Sequence, residues 1–61
     1  MSYQLDLKYQ KHGGRVPLNG LVQDQAEAEK TVTGLGHKLT GYVFTDQDLR
    51  GTDTLVVEIK D

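Results

Sequence analysis

Tyr3-Gln4-Leu5-Asp6-Leu7-Lys8-Tyr9 decides the fold when it is read together with Thr54-Leu55-Val56-Val57-Glu58-Ile59-Lys60 near the other end of the chain. In the first stretch Tyr3, Leu5, Leu7 and Tyr9 alternate with Gln4, Asp6 and Lys8. In the second, Leu55, Val57 and Ile59 alternate with Val56, Glu58 and Lys60. A period of two sends successive side chains to opposite faces of a sheet. Each end is therefore expected to be a half-buried β-strand, from about Ser2 to Tyr9 and from Thr54 to Lys60, with one set inside and the other toward water.

Between these ends the punctuation is legible. Lys11-His12-Gly13-Gly14-Arg15 carries a glycine pair that can adopt positive φ and reverse the chain. Val16-Pro17-Leu18 reads as a short return strand, and Pro17, which has no N–H to donate, places it at a sheet edge. Asn19-Gly20 reads as a second turn. A helix is expected from near Asp24, because Asp24 and Glu27 have capping-box spacing and acids in the first turns suit the positive end of the helix dipole. Its apolar stripe is Ala28, Val32 and Leu35, with Leu21 extending it upstream. That stripe is narrow and light, so the helix needs a sheet to lie on. Gly34 and Gly36 each offer a left-handed stop.

Lys38 to Thr45 reads as a third strand with two apolar sides: Leu39, Gly41 and Val43 on one, Thr40, Tyr42 and Phe44 on the other. A single sheet covered by one helix can bury only one of them. The other faces water or a partner, unless a bulge at Gly41 switches faces and buries the best of both sets. The polar segment from Asp46 to Asp53 leads into the last strand.

The 61 residues hold one domain, residues 1–61, with no internal repeat or linker. A chain this short buries roughly 60% of the surface it exposes when unfolded, and per-residue scaling gives a stability of about 3–9 kcal/mol. There is no cysteine, so disulfides and thiolate metal sites are excluded and packing or self-association must supply the stability. Seven basic residues against nine acidic ones give a net charge of −2, which argues against a duplex nucleic-acid binder. No apolar run has the length of a membrane span and no signal-peptide core is visible. The expectation is a soluble cytoplasmic protein with no membrane association.

The expected fold is α+β: a single ββαββ domain, a four-stranded mixed sheet with the first and last strands central, and one helix packed on one face. This order resembles the β-grasp. The opening Met1-Ser2-Tyr3-Gln4-Leu5-Asp6-Leu7 and the helical Ala28-Glu29-Lys30 are similar to segments of the immunoglobulin-binding domains of bacterial surface proteins. Phe44-Thr45-Asp46 followed by Thr54-Leu55-Val56-Val57 is similar to the ending of ubiquitin-like domains. The resemblance spans nearly the whole chain as an order of elements and implies a β-grasp-like architecture without an activity. The third-strand tryptophan of the antibody-binding domains has no counterpart here, and Ile59-Lys60-Asp61 stands where ubiquitin has its diglycine tail. A swapped or side-by-side dimer of the same elements is the competing topology.

Candidate chemistry is sparse. His12 lies in a turn without a Ser or Cys nucleophile, and His37 suits the C-terminal end of the helix dipole. Asp46, Asp48 and Asp53 form an acidic loop, but it lacks regular calcium-ligand positions and Arg50 competes with a cation. Glu27 and Glu29, two apart on a helix, point away from each other. No metal site, cofactor loop or nucleophile–base pair emerges, so neither a cofactor nor an enzyme is expected. The leading expectation is a non-catalytic protein-interaction module that self-associates as a homodimer through the third strand and outer sheet face, with Leu39, Tyr42, Val43 and Phe44 as partner-binding residues. Its size also suits an accessory protein of a phage or mobile element. The alternative is a nucleic-acid or anion-binding domain using Lys11, His12 and Arg15 at the Gly-Gly hairpin tip, where backbone amides and cations suit an anion.

Overall fold

The computed structural model describes residues 2–47 and 53–60. Strand β1 (Tyr3–Tyr9) and strand β2 (Arg15–Val22) form the first hairpin, helix α1 (Gln25–Gly34) crosses over, and strands β3 (Lys38–Gln47) and β4 (Asp53–Lys60) follow. The sheet order is β2-β1-β4-β3. The two strands whose alternation is strongest are central and parallel, Leu5 beside Leu55, Leu7 beside Val57 and Tyr9 beside Ile59. The outer strands each pair antiparallel. The α+β expectation, with one helix and a mixed sheet, holds.

Leu5, Leu7, Leu55, Val57 and Ile59 meet Ala28 and Val32 of the helix and Val22 of β2 in one buried cluster. Tyr3, Tyr9, Leu18, Leu39 and Val43 pack around its margin. Two expectations for the helix stripe do not hold. Leu35 is 59% exposed and serves as the C-cap, and Leu21 is 62% exposed while its neighbour Val22 is buried. The helix stops one residue before Leu35 could turn inward, and Leu21 belongs to β2, whose pleat sends Val22 to the core and Leu21 to the opposite face.

The helix starts as its sequence dictates. The Asp24 carboxylate accepts from the Glu27 N–H at 2.8 Å, and the Glu27 carboxylate accepts from the Gln23 N–H at 2.9 Å, the reciprocal arrangement of a capping box shifted outward by one residue. At the other end Gly36 takes φ 92°, and the Leu35 and Gly36 N–H groups bond Val32 and Thr33 carbonyls.

Asn19-Gly20 is not a turn. Strand β2 continues through it to Val22 as a bulge: Leu18, Asn19 and Gly20 together oppose the single residue Leu5. Gly20 has φ 118°, and the Gln4 side-chain amide donates to the Leu18 carbonyl at 2.6 Å. Strand β3 has its counterpart, with Thr40, Gly41 and Tyr42 opposing Glu58 and Gly41 at φ 94°. Three residues against one preserves the pleat, so this bulge at Gly41 leaves Leu39 and Val43 on the same face, and no switch of faces occurs. Both outer strands are thus interrupted along their free edges, which blunts strand-to-strand pairing with other chains.

Candidate functional site

The helix covers one face of the sheet, and the register arranges the other face in rows. Leu21, Gln4, Thr54 and Asp46 form the first, Pro17, Asp6, Val56 and Phe44 the second, and Arg15, Lys8 and Glu58 the third, with the Gly41 bulge at its end. Alternation leads one to expect Val56 toward water, yet it is fully buried, as is nearly all of Thr54. The cause is tertiary. Arg15 donates to Asp46 Oδ2 at 2.7 Å and to Asp6 Oδ2 at 3.0 Å. A guanidinium bonded at once to a carboxylate on β1 and another on β3 must lie over the strand between them, which is β4. Lys8 makes a second crossing: its Nζ sits 5.6 Å from the Tyr42 ring centroid and 5.9 Å from that of Phe44.

These two long side chains roof the middle of the open face with their aliphatic stems. Its hydrogen bonds to Asp46 and, less strongly, to Asp6 raise the Arg15 pKa further above its ordinary value. Only 14% of the Asp6 side chain is exposed, against 37% for Arg15 and 45% for Asp46. Arg15→Ala is expected to lower stability by about 1–2 kcal/mol, because it strands the Asp6 carboxylate and uncovers Val56. Arg15→Lys recovers only part of this, since an ammonium lacks the fork that spans two acids. Urea unfolding of the three proteins measures both steps.

The residues expected to bind a partner divide between the faces. Leu39 and Val43 lie on the helix side, half-buried against the core. Tyr42 and Phe44 lie together on the open side, ring centroids 5.1 Å apart and tilted by 55°. Tyr42 is 50% exposed. Its position is fixed by the bulge, where the Tyr42 N–H donates to the Thr40 hydroxyl at 3.2 Å and that hydroxyl donates to Glu58 Oε1 at 3.0 Å. Of the residues named for an anion at the hairpin tip, Arg15 points into the sheet face and is bonded to two acids. His12 packs edge-on to Tyr9 at 6.4 Å, and Lys11 is exposed at the turn. Of the acidic loop, Asp46 belongs to the Arg15 clasp, whereas Asp48 and Arg50 lie outside the described residues.

What the sequence missed is the joining of Arg15 to Asp46 and of Lys8 to Tyr42. Those pairs are 31 and 34 positions apart, and only the strand order brings them together. Among the described residues the surface forms no pocket, and no group of three or more His, Asp or Glu side chains is placed to hold a metal ion. No helix among them is long and apolar enough to cross a membrane. No protein-family model, curated protein or solved structure matches this chain.

Proposed function

We propose that the chain is a small non-catalytic protein-interaction module of β-grasp-like architecture that self-associates through the open sheet face along β3. The observation that carries this reading is Tyr42: a large ring, half exposed, held in place by Phe44, Lys8 and a glycine bulge on a strand rather than on a loop. A rigid aromatic that has already lost its rotamer freedom costs little to bury against a partner, which is why such rings dominate interface energetics. The interrupted edge of β3 directs the contact to the face and away from backbone pairing. Leu39 and Val43 act from behind, anchoring the strand to the core.

Sedimentation velocity across a wide concentration range is the test. A dimer that Tyr42→Lys dissociates, while the circular dichroism spectrum is unchanged, is the expected result. A species that stays monomeric at the highest concentration removes self-association from the reading.

A further inference from the structure

The charges look evenly spread along the sequence, but the topology sorts them. Strands β1 and β4 run parallel and end together, and β3 begins where they end, so Lys8, Lys38 and Lys60 gather at one end of the open face. Lys38 and Lys60 are direct partners across the β3–β4 ladder, both exposed. Like charges directly opposite each other on neighbouring strands destabilise a sheet. Among the described residues neither lysine has an ion pair or side-chain hydrogen bond that would offset this. Glu58 lies between Lys8 and Lys60 on the same face, but its carboxylate accepts from the Thr40 hydroxyl. Lys11 joins the same end, because the Gln10 N–H bonds the Ile59 carbonyl and ties the hairpin tip to the end of β4. The exposed ring of Tyr42 borders the group through its contact with Lys8.

We infer that this basic end, Lys38 and Lys60 with Lys8 and Tyr42 beside them, is a docking site for a short acidic segment of a partner protein. The complementary charge is the reason for an acidic occupant: carboxylates placed between Lys38 and Lys60 relieve a repulsion that folding leaves in place. Three features favour a carboxylate-bearing peptide over a nucleic acid. The cations of the site, Lys38 and Lys60 with Lys8, are point charges, because the one described guanidinium is committed to Asp6 and Asp46 and cannot fork onto a phosphate. Of the Tyr and Phe rings only Tyr42 is half exposed, with Phe44 against it, so no ladder of such rings exists on which successive bases could stack. A net charge of −2 repels a long polyanion while tolerating a short one. The site forms within one copy of the chain and shares Tyr42 with the proposed self-association face, so a peptide and a second copy compete for that ring.

Fluorescence anisotropy with a labelled glutamate-rich peptide, its glutamine counterpart and labelled oligothymidylate tests the assignment at low ionic strength. The glutamate peptide is expected to bind in a salt-sensitive manner, the glutamine peptide not to bind, and the double variant Lys38→Gln, Lys60→Gln to weaken capture roughly tenfold. Lys38→Glu separates binding from folding: it places an opposite charge across from Lys60, so its melting temperature is expected to rise while peptide capture falls. Capture that survives both variants, absence of capture at low salt, or tighter binding of oligothymidylate than of the glutamate peptide overturns the inference. Because a second copy would cover Tyr42, capture is read at protein concentrations where sedimentation shows a monomer: absence of capture there fails the docking site only, and peptide capture by a species that stays monomeric at the highest concentration fails self-association only.

Discussion

Ile59→Ala is expected to lower the unfolding free energy by about 2–5 kcal/mol, which is comparable with the whole stability of a chain this size, about 3–9 kcal/mol by per-residue scaling. Ile59 is 1% exposed and belongs to the strand flanked on both sides, with Tyr9 beside it on β1 and Leu39 beside it on β3. Truncating it leaves a cavity between the sheet and a helix that contributes only Ala28 and Val32 as buried side chains. Those small residues cannot move far enough to refill the space, so the cost should lie toward the upper part of that range. Urea unfolding followed by circular dichroism gives the midpoint and slope. A midpoint close to that of the parent protein would mean that the helix and sheet do not share this core.

Gly41→Val is expected to cost about 1–3 kcal/mol through backbone strain. Gly41 has φ 94°, a conformation closed to β-branched residues, while a Cβ there would meet no described atom within 4 Å. The penalty is therefore torsional and not a clash. Straightening the bulge to relieve it would disturb the Thr40–Glu58 and Tyr42–Thr40 hydrogen bonds and move Tyr42 from its place over the sheet face. Gly34 provides the control of opposite sign. It closes the helix without a positive φ and also has open space around it, so Gly34→Ala should stabilise by about 0.5–1 kcal/mol. Thermal unfolding of both variants beside the parent checks the two signs together. Equal effects would show that the backbone at Gly41 is not held at positive φ.

Much of the architecture was legible because it is carried by local periodicity. The alternation at Tyr3–Tyr9 and in the last strand named both central strands, Pro17 named an edge, and Asp24 with Glu27 named the helix start. Apart from Leu35, which the end of the helix leaves exposed, the misreadings originate in bulges and in long-range cover. Asn19-Gly20 has the chemistry of a turn, but a glycine at positive φ serves a bulge equally well, and only pairing with β1 chooses between them. Val56 has the pattern of a solvent-facing residue, and the pattern holds for its direction but not for its exposure.

The sequence by itself determined β1, the start of β2, the helix, β3 and β4, and which side of β1 and β4 faces inward, since these depend on side chains a few positions apart. The second half of β2 came only with its pairing to β1. The tertiary structure decided which side of β3 lies open, what roofs Val56 and where the lysines collect. Those outcomes depend on strand order, which joins Arg15 to Asp46 and sets Lys38 against Lys60 across wide gaps in the chain. No local preference encodes such a meeting, because its free energy exists only once the intervening sheet has formed.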